Sequence, residues 1–456
     1  MSTLQELRNA LNIKEKNGKR ILKHNINKRV QLLPFQTRNP ERAKFKNGFQ
    51  PVLGQFFRNI EKVKYDLEMD KEEIIRNMVS EVQLDKQDQK HLERILEDYL
   101  FKGNSIRLFH PIMFKYIPLT NTKELQGEEE IAQYIYDALL NRDSSKFEEI
   151  LKLQDNDHVL ARLIHDQMPK LAKNENNKKF NPTLPFIQEL FQKDLETLLS
   201  NRDFFMNHIN LFLAYYYFYS ITQLTLKMNK FEEMDVTSTT PIYYNLDWES
   251  TNRNRQAVTT GFKIITDNAR KLLDHANTLE HLNFILDTEN LSYPELVERF
   301  EKLDSDEQAK ILNDLYDWTL EYTEIVLGNQ NEIEKKNTLP EAYRQLHQQL
   351  TRGLSKETKY RYALAINEIG RVYFLKTRGS LGNTLNVTQD FLILLTALAV
   401  NKEEKISLKQ LFVEYEKRGV FFDRYSKEEI IELFNKLNLI EKKSDSGDAQ
   451  YVKRIL

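Results

Sequence analysis

Hydrophobic side chains recur at three- and four-residue spacing along most of the chain, a period typical of amphipathic helices. Clear examples are residues 91–101, which follow the candidate cap Asp85, and residues 128–140 and 255–276. Two-residue alternation is confined to a few short segments, most of them near the C-terminus. The pattern predicts an all-α fold with a large helical body.

Residues 204–226 contain no Asp, Glu, Lys or Arg, and aromatic side chains point in every direction around a helical period. A run of this length could span a membrane, because about 20 apolar residues cross the hydrocarbon core. However, Asn207, His208, Ser220 and Gln223 lie within it, and lipid offers such groups no hydrogen-bond partners. We therefore expect a buried central helix and no membrane contact.

The C-terminal residues follow a different plan, with predicted helices at 388–400, 408–418 and 427–437. Ser426 and Glu429 match a capping box for the third helix. Two alternating segments then flank the turn-forming residues 444–448, which predicts a hairpin. Three helices followed by a β-hairpin predict a winged-helix domain.

At 456 residues the chain is longer than a single core usually supports, so we expect several parts. These are a basic, partly irregular arm at 1–50, a helical body at 51–383 with a possible boundary near 173–183, and a winged-helix domain at 384–456. The absence of cysteine excludes disulfides and thiolate chemistry. Since the first residues contain no apolar signal segment, we expect a cytoplasmic protein.

The N-terminal arm is strongly basic between residues 14 and 46, although the formal net charge of the chain is only -2. Clustered Lys and Arg side chains displace counterions from phosphates, which predicts contact with double-stranded DNA. The alternative is an arm that docks on an acidic partner or on acidic helices of this protein. The candidate DNA-binding residues are Lys14, Lys16, Lys19, Arg20, Lys23, Lys28 and Arg29.

A second basic stretch precedes the C-terminal domain and is interleaved with aromatic residues such as Tyr360 and Tyr373. This combination is typical of backbone-binding surfaces, but a solvated helix face with buried tyrosines behind it has the same composition. The candidate residues are Lys356, Lys359, Arg361, Arg371, Lys376 and Arg378.

A winged helix commonly binds DNA with its third helix, which would require Arg, Lys, Asn or Gln on the exposed face. That face carries Glu428, Glu429 and Glu432 instead, and the domain has as many acidic as basic residues. We therefore predict that this helix contacts a protein, with DNA binding as the alternative.

No catalytic motif is recognisable. The chain has no G-x-x-x-x-G-K-[ST] phosphate loop and no H-E-x-x-H zinc motif. His165-Asp166 matches a dipeptide of metal-dependent phosphohydrolases, and His158 would share its helix face, but such histidines are more often ordinary surface or cap residues. We expect no cofactor, no metal and no enzymatic activity of its own.

Two C-terminal segments, GVFFDRYS at 419–426 and NLIEKKSDSGDAQYV at 438–452, resemble the end of the DptG or DndG family, as does LAYYYFY at 213–219. This family is the G component of bacterial phosphorothioation-dependent DNA restriction systems. The resemblance implies a non-catalytic partner of the F and H proteins, which carry out the nucleotide-driven work on DNA lacking phosphorothioate sulfur. It supplies no catalytic residues.

The sequence therefore favours a non-catalytic scaffold or adaptor subunit of a restriction complex. A stand-alone winged-helix DNA-binding protein and an enzyme of unfamiliar type remain as alternatives.

Overall fold

The structure is a computed structural model that describes residues 3–65, 70–102, 105–153, 159–328, 333–442 and 450–456. These residues form mostly helices, so the predicted predominance of helix is confirmed. The helices are α1 (Thr3–Ala10), α2 (Gln50–Glu61), α3 (Lys71–Ser80), α4 (Lys86–Leu100), α5 (Leu125–Tyr134), α6 (Val159–Gln167), α7 (Pro185–Leu199), α8 (Arg202–Lys227), α9 (Gln256–Thr259), α10 (Phe262–Ala269), α11 (Leu272–Ile285), α12 (Tyr293–Glu301), α13 (Ser305–Leu327), α14 (Leu339–Gly353), α15 (Lys356–Tyr373), α16 (Gln389–Val400), α17 (Leu408–Lys417) and α18 (Arg424–Lys436).

The strands are short and form five small sheets within the described ranges. They are β1 (Lys14–Lys16), β2 (Lys19–Ile21), β3 (Val63–Lys64), β4 (Phe101–Lys102), β5 (Ser105–Ile106), β6 (Ala172–Lys173), β7 (Asn245–Leu246), β8 (Leu375–Thr377), β9 (Asn383–Val387), β10 (Lys405–Ser407), β11 (Ile440–Lys442) and β12 (Gln450–Lys453). The pairs β1–β2, β3–β6 and β4–β5 stand alone, while the orders β7-β9-β8 and β10-β12-β11 make three-stranded sheets. All pairings are antiparallel except β7 with β9.

Helix α8 contains the uncharged run and is buried along most of its length. Its tyrosine hydroxyls find acceptors inside the protein: Tyr216 donates to Asp194 at 2.5 Å, Tyr219 to the carbonyl of Lys417 at 2.8 Å, and Tyr215 to that of Arg418. Hydrogen bonding of this kind makes burial of a tyrosine favourable. None of the described helices is long and apolar enough to cross a membrane.

Buried apolar side chains form two clusters. The larger extends from Leu4 to Val452 and includes residues of the N-terminal arm, the helical body and the C-terminal helices. The smaller lies between α3, α4 and α6 and includes Met78, Leu96 and Ile164. The polar segment at 173–183 begins with β6, which pairs with β3 directly after α2.

Helices α16, α17 and α18 with the sheet β10-β12-β11 form the C-terminal unit. The predicted capping box at Ser426 is wrong, because α18 begins at Arg424 and Asp423 is its cap, accepting the amide of Ser426 at 3.1 Å. The Ser426 hydroxyl instead donates to Glu249 at 2.9 Å. The predicted turn at 444–448 lies outside the described residues.

The single helix expected over 255–276 is also wrong, since this segment contains α9, α10 and the start of α11. Gly261 separates the first two, and a Cβ atom there would lie 2.1 Å from the carbonyl oxygen of Ala257. The chain therefore turns too tightly at this point for any other residue without movement of its neighbours.

Candidate nucleic-acid interface

The first candidate residues lie on a β-hairpin formed by β1 and β2. Asn17 and Gly18 join the strands, both with positive φ, 52° and 71°. This conformation is typical of a two-residue type I′ turn, which Asn-Gly strongly favours. All six strand residues are exposed, and Lys16 lies directly opposite Lys19.

Alternation along the strands separates the charges of this hairpin onto two faces. Lys14, Lys16 and Lys19 share one face, and none of them forms an ion pair with a described residue. We call these three residues the lysine face. Glu15 and Arg20, which are paired with each other, lie on the opposite face.

Arg20 is held by the body of the protein, because it forms an ion pair with Glu321 of α13. Arg8 of α1 binds the same carboxylate at 2.8 Å. Burial disfavours the charged form of Glu321, yet the hydrogen bonds from Arg8 and Arg20 outweigh it and hold the pKa of Glu321 below its usual value. One face of the hairpin is therefore fixed to α13, while the lysine face is left without an internal partner.

The remaining arm candidates have mixed surroundings. Lys23 is exposed and its side chain has no ion-pair partner among the described residues, whereas Arg29 binds Glu6 at 2.6 Å and Asp287 at 3.2 Å. The backbone amides of Lys28 and Arg29 both donate to the buried carboxylate of Glu280 at 2.8 Å. We call residues 28–46 the anchored segment, because amides at its start and the side chains of Arg29, Arg42 and Lys44 are bound to other parts of the protein. The side chain of Lys28 itself is exposed and forms no ion pair with a described residue.

Arg42 and Lys44 extend the same pattern through the anchored segment. Arg42 is 4% exposed and lies 3.2 Å from Glu368 of α15, and Lys44 lies 3.3 Å from Glu124. These cations already have carboxylate partners, so they add little free positive charge to the surface.

The second basic stretch is dispersed by the fold. Lys359 binds Asp274 at 3.2 Å, Lys376 binds Asp247 at 2.9 Å, and Arg361 lies 3.8 Å from Glu357. Arg378 donates to the carbonyls of Glu249 and Leu246, at 2.7 Å each. The residues that remain exposed without a described partner are Lys356 and Arg371.

Lys356 and Arg371 lie near opposite ends of α15, about 22 Å apart along a helix of this length. Of the interleaved aromatics, Tyr360 is 52% exposed, but Tyr362 and Phe374 are fully buried. The structure does not bring the six cations of this stretch together on one surface.

The acidic residues of α18 lie largely toward solvent. Glu428 forms an ion pair with Arg424 at 2.8 Å and Glu432 with Lys436 at 2.6 Å, while Glu429 is half-buried. These exposed i,i+4 pairs contribute little to stability. The carboxylates are therefore accessible to a partner.

Among the described residues, the candidate catalytic side chains are not grouped into a site. His165 lies 3.2 Å from its neighbour Asp166 on the surface of α6, and His158 lies outside the described residues. Within the part of the chain that the structure describes, no three His, Asp or Glu side chains are grouped to hold a metal ion.

The sequence did not identify two carboxylates that attach the arm to the body: Glu321, which binds Arg20, and Glu280, which accepts backbone amides of residues 28–30. Both are far from the arm in sequence, so no local pattern marks them. The sequence does indicate the hairpin, because Asn17-Gly18 lies between two short charged segments. No model of a known protein family matches the chain, and no curated protein matches it either.

Proposed function

We propose that this protein is a non-catalytic scaffold or adaptor subunit of a phosphorothioation-dependent DNA restriction complex of the DptG or DndG kind. In this proposal it works in the cytoplasm with the F and H components, which supply the nucleotide-driven activity. The C-terminal segments 419–426 and 438–452 support the family, and the lysine face supports direct contact with duplex DNA.

The observation that carries the DNA contact is the placement of Lys16 opposite Lys19 on an exposed hairpin. Like charges in directly opposed positions destabilise a strand pair, and a two-stranded hairpin is marginal by itself. A polyanion removes that repulsion by lying against both ammonium groups. A two-stranded ribbon also fits within the major groove of duplex DNA.

The C-terminal unit supports the scaffold role. Its order of helix, strand, helix, helix and two strands, with β12 between β10 and β11, fits a winged helix. Glu428 and Glu432 on α18 favour a basic surface of a protein partner over phosphates. Buried α8 then serves as the central helix around which the scaffold is organised.

The test is the salt dependence of duplex binding. Exchange of Lys14, Lys16 and Lys19 for Gln should weaken binding regardless of sequence and reduce the slope of log affinity against log salt by about 0.9 for each contact removed. The control is an equal charge change at exposed lysines elsewhere, Lys86, Lys90 and Lys152. Equal effects in the two triple variants would rule out a specific role for the hairpin.

The second candidate, a stand-alone winged-helix DNA-binding protein, is favoured by Arg424 and Tyr425 at the start of α18. The side chain of Arg424 is 87% exposed and Tyr425 is 62% exposed. Exchanging Glu428, Glu429 and Glu432 for Gln separates the two candidates. Stronger DNA binding with unchanged association to the F and H components would favour DNA contact by α18. Altered association with unchanged DNA binding would favour the scaffold.

A further inference from the structure

A polar cavity of about 420 Å³ lies on the body of the protein, between the end of α2, the residues after α5 and the segment 174–177. The described side chains that line it include Asn59, Lys62, Arg142 and Ser144. None of these residues belongs to the hairpin or to the C-terminal unit. A cavity of this volume falls within the range of small-molecule sites.

A chain of hydrogen bonds fixes which atom Asn59 presents. Arg58 can only donate, and its Nε lies 2.9 Å from Gln55 Oε1. The other atom of that amide, Gln55 Nε2, therefore donates to Asn59 Oδ1 at 2.9 Å. The Nδ2 of Asn59 is left without a hydrogen-bond partner, although this residue is only 6% exposed.

An unpaired buried donor is costly, so its presence at a cavity indicates a missing acceptor. Two further side chains at this cavity are donors without a close partner among the described residues, and they lie beside one carboxylate, that of Glu175. Lys62 has only a long contact of 3.9 Å with exposed Glu175, and the hydroxyl of Ser144 has no partner among the described residues. Arg142 is the fourth donor at this cavity, after Asn59, Lys62 and Ser144.

Arg142 is held in an unusual way. It has a φ of 60°, follows Asn141 at 52°, and its guanidinium lies 5.3 Å from the ring centre of Tyr136. It donates to the carbonyl of Asn176, and its Nε lies 3.5 Å from the buried carboxylate of Asp137. A left-handed conformation is uncommon for such a residue, and retained strain of this kind clusters at functional sites.

Helix α5 also departs from regular geometry beside this cavity. It continues as a π-helix over Ile135–Leu139, which carries Tyr136 and Asp137. Short π-helical segments occur frequently at functional sites. The unpaired donor, the strained arginine and the π-helix thus meet at one cavity.

We propose that this cavity binds a small phosphomonoester of nucleotide size, with Asn59 Nδ2, Lys62, Arg142 and Ser144 around the phosphate group. Charge-assisted donors fit phosphate oxygens. The side-chain amides of Asn174, Asn176 and Asn177 offer both donors and acceptors to the organic part, while the exposed carboxylate of Glu175 can turn toward solvent. This site is independent of the proposed DNA contact and requires no chemical step.

The experiment is calorimetric titration of the full chain with the four ribonucleoside 5′-monophosphates, with the matching nucleosides as controls. At least one monophosphate should bind saturably, and its nucleoside at least about tenfold more weakly, since charged hydrogen bonds supply that much discrimination. Absence of saturable binding, or equal binding of nucleoside and monophosphate, would overturn the proposal.

Substitutions of two lining residues, Lys62 and Ser144, test whether the monophosphate binds in this cavity. Lys62→Gln and Ser144→Ala remove groups that make no close hydrogen bond in the described structure, so thermal unfolding should be unchanged. Together they should weaken monophosphate binding by at least about tenfold. Lys152→Gln, outside the cavity, is the matched control. The triple Gln variant of the lysine face should bind the monophosphate normally, which keeps this test separate from the DNA test. Unchanged binding by the Lys62 and Ser144 variant would contradict the assignment.

Discussion

The hairpin and the anchored segment are both rich in Lys and Arg, but the fold uses their charges in opposite ways. On the hairpin, Lys14, Lys16 and Lys19 are exposed and have no described ion-pair partner. In the anchored segment, Arg29 and Arg42 are each bound to carboxylates of the protein itself. A cation contributes to nucleic-acid binding only if its charge is free, so composition alone overstates the DNA-binding surface of this arm.

The difference originates in buried carboxylates that meet only one of the two regions. Glu280 of α11 is 1% exposed and accepts the backbone amides of Lys28, Arg29 and Val30. Burial raises the pKa of Glu280, although these amide hydrogen bonds act in the opposite direction. The anchored segment thus has a fixed attachment point, whereas the ion pair that joins the hairpin to the body, within the described ranges, is that of Arg20 with Glu321.

The largest expected effect comes from removing that attachment point. Glu280→Ala leaves three backbone N–H groups without an acceptor, so the free energy of unfolding should fall by about 3 kcal/mol. Urea denaturation followed by circular dichroism measures the change. Glu15→Ala on the exposed hairpin is the control and should change stability by less than about 0.5 kcal/mol. Similar losses in both variants would contradict the distinction between the two regions.

A smaller effect is expected where the face of the hairpin that carries Arg20 meets α13. Glu321→Gln weakens the binding of Arg8 and Arg20, which should lower the free energy of unfolding by about 1 kcal/mol. Because Arg20 becomes free, the salt dependence of DNA binding should steepen by up to about 0.9 in slope. Glu324→Gln, on an exposed position of the same helix, provides the matched control. A flatter slope in Glu321→Gln would show that Arg20 needs its carboxylate to support the hairpin.

The elements that follow local patterns were predictable from the sequence. The uncharged run is a helix because its side chains pack on every side, and the C-terminal helices follow their apolar spacing. The Ser426 cap failed because the hydroxyl of Ser426 binds Glu249, which is 177 residues away in the chain. A capping pattern contains no information about such a distant partner.

The candidate sites were less predictable for the same reason. Lys14 and Arg29 are equally basic in the sequence, but in the fold Arg29 is bound by carboxylates, chiefly those of Glu6 and Asp287. The cavity beside Asn59 lies between α2, the π-helix Ile135–Leu139 and segment 174–177, which come together only in the tertiary structure. Local composition thus identified candidate cations but not which of them are free.

Acid should affect the residues between the hairpin and the anchored segment through His24, whose Nε2 lies 2.8 Å from the hydroxyl of Tyr322. Burial lowers the pKa of His24, so the unfolded chain takes up a proton more readily near pH 6.5. Stability should therefore decline as the pH falls below about 6.5. Its neighbour His281, whose pKa burial lowers to about 3, acts in the same direction.

The variant His24→Gln isolates the contribution of this histidine. It keeps a hydrogen-bonding side chain but does not titrate, so its loss of stability between pH 7.5 and 5.5 should be smaller than that of the wild type by at most about 1.4 kcal/mol. Urea denaturation at the two pH values measures the difference. An identical pH dependence in both proteins would show that His24 is solvated in the native state.

The smallest effect on stability concerns the opposed lysines of the hairpin. Lys16→Glu replaces a repulsive pair with an attractive one opposite Lys19, which should stabilise the hairpin by about 0.5 kcal/mol. Slower amide hydrogen exchange at residues 14–21 measures this gain.

The same change should weaken duplex binding and flatten its salt dependence, because it removes a cation from the lysine face and adds an anion. Lys23→Glu makes an equal change of net charge outside the hairpin and should weaken binding less. If Lys16→Glu slows exchange but leaves DNA affinity equal to that of Lys23→Glu, the lysine face does not contact phosphates.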